Sequence, residues 1–205
     1  RNFQEPIVLF NDKVELVINP KGGLIARVQL PEYRSYGDYK EGVEASLLLY
    51  DDTTSEMNVI FDTKEDYLSL SDYYFVAQNV TDSTVTMALE HPTGEAVYID
   101  YELLSDNYLV NMTVRTKGMQ KHFAARTNSF TIDWKDCVRQ QEKGFYFENM
   151  YSTLTYKLTG DDTEKLSEEE LSFVNHRASV DFVVYYKQDK SCKLIIEVDG
   201  FAFHE

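Results

Sequence analysis

Basic residues are scarce in this chain. Against 35 Asp and Glu it carries 20 Lys and Arg, a formal net charge of −15. A surface that negative repels phosphate backbones over most of its area, which argues against general nucleic-acid binding. Charge alone does not draw it to anionic lipid either. Long apolar runs are also missing. Stretches such as "SLLLY" and "FVVYY" have the length of strands, far short of the ~18–20 residues that span a bilayer. No secretory signal is present, and a chain that starts at Arg1 reads as a piece cut from a longer one. There are only two cysteines, Cys137 and Cys192, without CxxC or metal-type spacing. They read as two buried or free thiols. No internal repeat and no low-complexity tract occurs.

What the chain does have is aromatic bulk in an alternating pattern. Tyr (15) and Phe (12) are heavily used, which favours strands. In "STVTMALE" Val85, Met87 and Leu89 share one face; in "AVYIDYEL" Val97, Ile99, Tyr101 and Leu103 point inward while Tyr98, Asp100 and Glu102 point outward. "HPTGE" between the two reads as a hairpin loop, with Pro92 and Gly94 as turn residues. "KVELVI" and "GLIARVQL" flank a second hairpin at "NPKGG", and "SDN" at 105–107 makes a further turn. "YLVNMTVRT", "SFTIDW" and "STLTYKL" add strands. Many short strands with turn residues between them predict an antiparallel sandwich. The exception is "DDTEKLSEEELSF" (161–173), where Ser167 and Glu170 fit a capping box and predict a short helix or a linker. Beyond it, "ASVDFVVYYKQDKSCKLIIEVDG" predicts one more hairpin.

Several blocks resemble a known family. "FNDKVELVINPKGGLIARVQLPEYRSYG", with Gly22-Gly23, Leu30, Tyr33 and Tyr36, resembles the first strands of the periplasmic domain of the YidC membrane protein insertases. "DNYLVNMTV" and "RQQEKGFYFENMYSTLTYKL" (139–158) resemble later blocks, the last in its Bacteroidetes form. The resemblance covers about residues 5–170. It implies an all-β fold, an antiparallel β-super-sandwich of galactose-mutarotase-like shape, at the periplasmic face of the bacterial inner membrane. It further implies a non-catalytic role without cofactors or metal, membrane-tethered in the full-length protein. The partners implied are Sec translocon components or client membrane proteins. The organisation expected is a sandwich over 1–162, a helix or linker over 163–172, and a hairpin over 173–205.

Individual residues admit other readings. Sandwiches of this shape also host sugar epimerases, which need a histidine and a carboxylate converging on a sugar. Only His91, His122, His176 and His204 are available, and neither His91 nor His122, each in a turn, lies in a recognisable epimerase motif; sugar binding without catalysis is the milder alternative. Trp134 reads as a core or sheet-edge anchor. Arg139, Glu142 and Lys143 read as a solvated charged block. Gly22-Gly23 reads as turn geometry, with no phosphate-loop signature. Finally, Val180-Asp181-Phe182, Ile196-Glu197-Val198-Asp199-Gly200 and Phe203-His204-Glu205 resemble a fragment of a restriction-endonuclease-like domain fused to helicases. There Asp181 and Glu197 would share a Mg²⁺ that activates water, Asp199 stands where many such enzymes have lysine, and His204 would be a further acid or base. The rest of such a cleft is missing, so an orphan hairpin without metal or activity is expected, with Asp181 and Glu197 on adjacent strands.

Overall fold

The computed structural model describes residues 5–124, 129–137, 139–151, 155–157, 163–165 and 180–185. Four strands in sequence order, β1 (Ile7–Phe10), β2 (Glu15–Asn19), β3 (Leu24–Leu30) and β4 (Leu47–Asp51), form the first sheet. A second sheet takes β7 (Val76–Gln78), β8 (Thr84–Glu90), β9 (Ala96–Leu103) and β10 (Val110–Lys117) in the order β10-β9-β8-β7. A third combines β5 (Glu56–Asp62) and β6 (Tyr67–Ser69) with β11 (Ser129–Lys135) and β14 (Val180–Tyr185), ordered β14-β11-β5-β6. The short strands β12 (Thr155–Lys157) and β13 (Thr163–Lys165) pair with each other. Every pairing is antiparallel. Among the described residues two short α-helices, α1 (Tyr36–Glu41) and α2 (Phe145–Tyr151), interrupt the strands.

Period-two alternation fixes which face each strand buries. On β9 Val97, Ile99, Tyr101 and Leu103 are buried while Glu102 is exposed, and on β8 Val85 and Met87 are buried. β5 buries Met57, Val59 and Phe61 on one face. These join Leu9, Leu16, Ile18, Leu24, Tyr50 and Ile132 in one apolar cluster fed by all three four-stranded sheets. A one-residue slip in any of these strands would turn its apolar set to solvent, so the burial pattern pins the register. The outward face of β8–β10 is polar: Arg115 bridges to Asp100 and lies over the Tyr98 ring at 5.0 Å, and Thr86 donates to Asp100 at 2.7 Å.

The glycine pair is a keystone of this core. Gly22 and Gly23 adopt φ of +83° and +66° in the β2–β3 turn, a region that side chains disfavour. The Gly22 N–H donates to the Tyr73 carbonyl and the Phe75 N–H donates to the Pro20 carbonyl, both at 2.8 Å, which clamps the turn on the following loop. The buried Tyr101 hydroxyl donates to the Gly23 carbonyl at 3.0 Å. The "HPTGE" hairpin is likewise present, closed by the His91 N–H on the Glu95 carbonyl at 2.8 Å with Gly94 at φ +99°.

Three sequence readings change. α1 was not expected; Ser35 caps it by accepting from the Asp38 N–H at 3.1 Å, and Gly42 ends it in the left-handed region. α2 occupies "FYFENMY", read from sequence only as part of a family block. Thr163–Lys165 is a strand rather than the start of a helix or linker; the capping-box residues 167 and 170 lie outside the described residues. Trp134, read as a core or sheet-edge anchor, takes the first of these places: it packs against the apolar cluster from β11, an inner strand flanked by β5 and β14.

Candidate functional site

Among the described residues, the one constellation of histidines and a carboxylate is built by the β9–β10 hairpin. Pairing of Ala96 with Lys117 brings the loop before β9 beside the turn after β10. Glu95 from the first meets Lys121 and His122 from the second. Lys121 Nζ pairs with Glu95 Oε1, His122 Nε2 lies 3.5 Å from the same oxygen, and His91 Nδ1 lies 3.8 Å from Oε2. Thr93 Oγ1 donates to Oε2 as well. Glu95 is 8% exposed. The Lys121 ammonium first, and then the Thr93 hydroxyl, hold its carboxyl down at about 2. Such a group stays ionised and paired, the opposite of a proton-transfer base poised near neutral pH. The arrangement is a strut between two loops.

Two shallow clefts lie elsewhere, and neither carries a histidine. One, of about 280 Å³, is lined by Asn19, Lys21, Tyr50, Asp52, Glu56 and Ser71 among others. Among the described residues the buried Tyr50 hydroxyl has no hydrogen-bond partner, and neither has the adjacent Trp134 indole N–H. The two rings meet edge-on at 6.2 Å. Burial, followed by the carboxylates of Asp136, Asp52, Glu56 and Asp51, pushes the Tyr50 phenol up from its ordinary value, so it remains a protonated donor. Asn19 is already turned to Asp52, and Ser55 to Asp136.

The other cleft, of about 290 Å³, is lined by Tyr33, Arg34, Tyr36, Tyr39, Leu47 and Glu142 among others, where α1 meets the segment leading into α2. The Tyr36 N–H donates to the Gln141 carbonyl at 2.8 Å, Lys143 lies over the Tyr36 ring at 5.8 Å, and Gln141 reaches the Leu48 carbonyl at 3.3 Å. Glu148 accepts from the Gln141 and Glu142 backbone amides at 2.8 and 3.4 Å, which favours a negative side chain in the first turn of α2. Beyond this anchor the helix presents Phe145, Tyr146 and Phe147 to solvent, 68%, 72% and 62% exposed, with Met150 and Tyr39 also exposed.

The remaining singled-out residues fall as follows. Asp181 lies on β14 opposite Asp133 of β11, so its strand extends the third sheet; it is not confined to a separate hairpin. Glu197, Asp199, His176, His204 and Cys192 lie outside the described residues. Cys137 is a free, exposed thiol. Arg139 is less solvated than expected: its guanidinium donates to Thr54 at 2.7 Å, while its buried Nε has no partner among the described residues. Among the described residues no group of three His, Cys, Asp or Glu side chains has metal-holding geometry. No described helix is long and apolar enough to cross a membrane.

The sequence profile of the YidC periplasmic domain matches residues 6–181. The chain is 37% identical over 191 residues, 93% of its length, to the "Membrane protein insertase YidC" of Phocaeicola vulgatus. It is 35% identical over 92% of its length to that of Bacteroides fragilis and 33% identical over 82% to that of Porphyromonas gingivalis. It spans 30% of the length of the first two of these curated relatives and 26% of the third. The profile match extends past the boundary expected near 170 and takes in β14 up to Asp181. The chain belongs to the YidC periplasmic domain family.

Proposed function

We propose that this domain is a non-catalytic extracytoplasmic module of a membrane protein insertase. It acts as a scaffold at the periplasmic face of the inner membrane, holding the membrane-embedded part near client proteins or components of the Sec translocon. The observation that carries the non-catalytic reading is the place of Glu95. It is the carboxylate with histidines in reach among the described residues, yet it stands away from both clefts and is bound by Lys121 and Thr93. A sugar-modifying enzyme of sandwich fold would place that pair inside a cleft. The family match supports the module and its compartment, and the names of the relatives support the link to insertion.

The proposal is tested by photo-crosslinking in the full-length protein in membranes. A photoreactive side chain is placed at solvent-facing positions of β10, such as Asn111 and Thr113. Adducts with integral membrane proteins or translocon subunits are expected. A full scan of exposed positions that yields no protein adduct would overturn the scaffold reading.

A further inference from the structure

We propose that α2 is a membrane-interface tip: its aromatic side chains insert into the headgroup and upper acyl region of a phospholipid bilayer. This deepens the placement proposed above and rests on it. Phe145, Tyr146 and Phe147 occupy consecutive positions of one helix and are all largely exposed. At about 100° of turn per residue they fan over roughly 200° of its surface. A helix that docks in a protein groove instead carries its anchors as one stripe at i, i+3, i+4 and i+7. The Tyr146 and Phe147 rings meet edge-on at 5.6 Å, so with Phe145 they form an exposed aromatic cap rather than a stripe, and the apolar phase that covers such a cap is the upper acyl region of a bilayer. Tyr and the neighbouring cations suit the headgroup level.

The charge distribution agrees. Residues 139–151 carry Arg139 and Lys143 against Glu142 and Glu148, a local balance of zero in a chain of −15. Glu148 directs its carboxylate at backbone amides. The α1 side adds Arg34 and Lys40 against Asp38, Glu41 and Glu44, with Asp38 bonded to Ser35 and Arg34 3.9 Å from Glu44. Most of the negative charge of the chain lies outside these two segments, so anionic headgroups disfavour other orientations and this face is the one turned to the membrane. Attraction by net charge has no part in the contact. At seven residues α2 cannot cross the bilayer.

The test is flotation of the purified 205-residue chain with phosphatidylcholine vesicles, alone and with added phosphatidylglycerol. The parent chain is expected to float with pure phosphatidylcholine, insensitive to salt. The double substitution Phe145→Ser, Phe147→Ser is expected to weaken partitioning about tenfold or more, a factor that corresponds to about 1.4 kcal/mol. Tyr67→Ser, which removes an exposed aromatic from β6, is expected to leave it unchanged. A second readout does not depend on the serine variant folding: Phe145→Trp emission is quenched by brominated lipid more strongly than that of Trp134 in the parent. Absence of parent binding, equal loss in Tyr67→Ser, binding only with anionic lipid and abolished by salt, or no added quenching would each overturn the proposal. These assays use the isolated chain, so their failure removes the lipid contact alone; the scaffold reading stands or falls by the crosslinking experiment.

Discussion

A single methyl group at Gly23 probes the core at its tightest point. An ideal Cβ there would sit 2.8 Å from Phe75 Cγ and 3.0 and 3.2 Å from its Cδ atoms. Phe75 is 2% exposed within the apolar cluster, so the ring has nowhere to swing. Overpacking of this kind costs about 1–3 kcal/mol. The backbone adds to it, because φ is +66° and a left-handed residue with a side chain costs roughly 1–2 kcal/mol. Gly23→Ala is therefore expected to lose about 2–5 kcal/mol. Gly94→Ala is the control: its φ is also positive, at +99°, but nothing lies within 4 Å of the added Cβ, so only the backbone part remains. Urea unfolding followed by circular dichroism gives both values from the midpoints at constant slope. If the two variants agree within about 0.5 kcal/mol, the uncertainty of such comparisons, Phe75 does not press on the turn and the account of the core is wrong.

Removing the unpaired hydroxyl with Tyr50→Phe is expected to leave stability unchanged or raise it by up to about 1 kcal/mol, because a buried hydroxyl without a partner is a cost; a clear loss in urea unfolding would mean that the hydroxyl has a partner. Glu95 has a folded value near 2, below its ordinary 4.5, so its stabilisation is present in full above about 4.5 and is lost as pH falls toward 2. Glu95→Gln is thus less stable than the parent at neutral pH, and the gap closes between those limits; a gap independent of pH in urea titrations contradicts the strut. Plasmid incubated with the chain and Mg²⁺ or Mn²⁺ is expected to stay intact. Nicking that disappears in Glu197→Gln, with the fold retained, would restore the nuclease reading of Asp181 and Glu197.

Local rules made some elements legible and not others. Strands β8 and β9 were readable because their large side chains alternate between faces, with small Ala88 and Ala96 the buried exceptions, and "HPTGE" supplies a turn between them. Gly22-Gly23 was readable as a turn, but its contact with Phe75 depends on a chain segment some fifty residues on. α1 had a usable signal in Ser35 and Asp38 before Gly42, a short capping pattern, hidden by a stretch with little apolar periodicity. α2 was masked by its composition: three aromatics in a row favour strand, while the bonds from Glu148 to the Gln141 and Glu142 amides hold a helix. The Glu95 cluster was invisible for a different reason. His91 and Glu95 are separated from Lys121 and His122 by two whole strands, and only the β9–β10 register, Ala96 against Lys117, brings them together. The third sheet shows the same limit, since neither β11 nor β14 announces that Asp133 will face Asp181.

That the domain works without catalysis is tested most directly in cells depleted of their own insertase and supplied with the full-length protein carrying Glu95→Gln. This change removes the carboxylate that both His91 and His122 approach, with little change of shape. Growth and insertion of client membrane proteins are expected to match the unsubstituted protein. Loss of insertion while the domain remains folded by protease resistance would show that Glu95 carries chemistry, and would contradict the non-catalytic account.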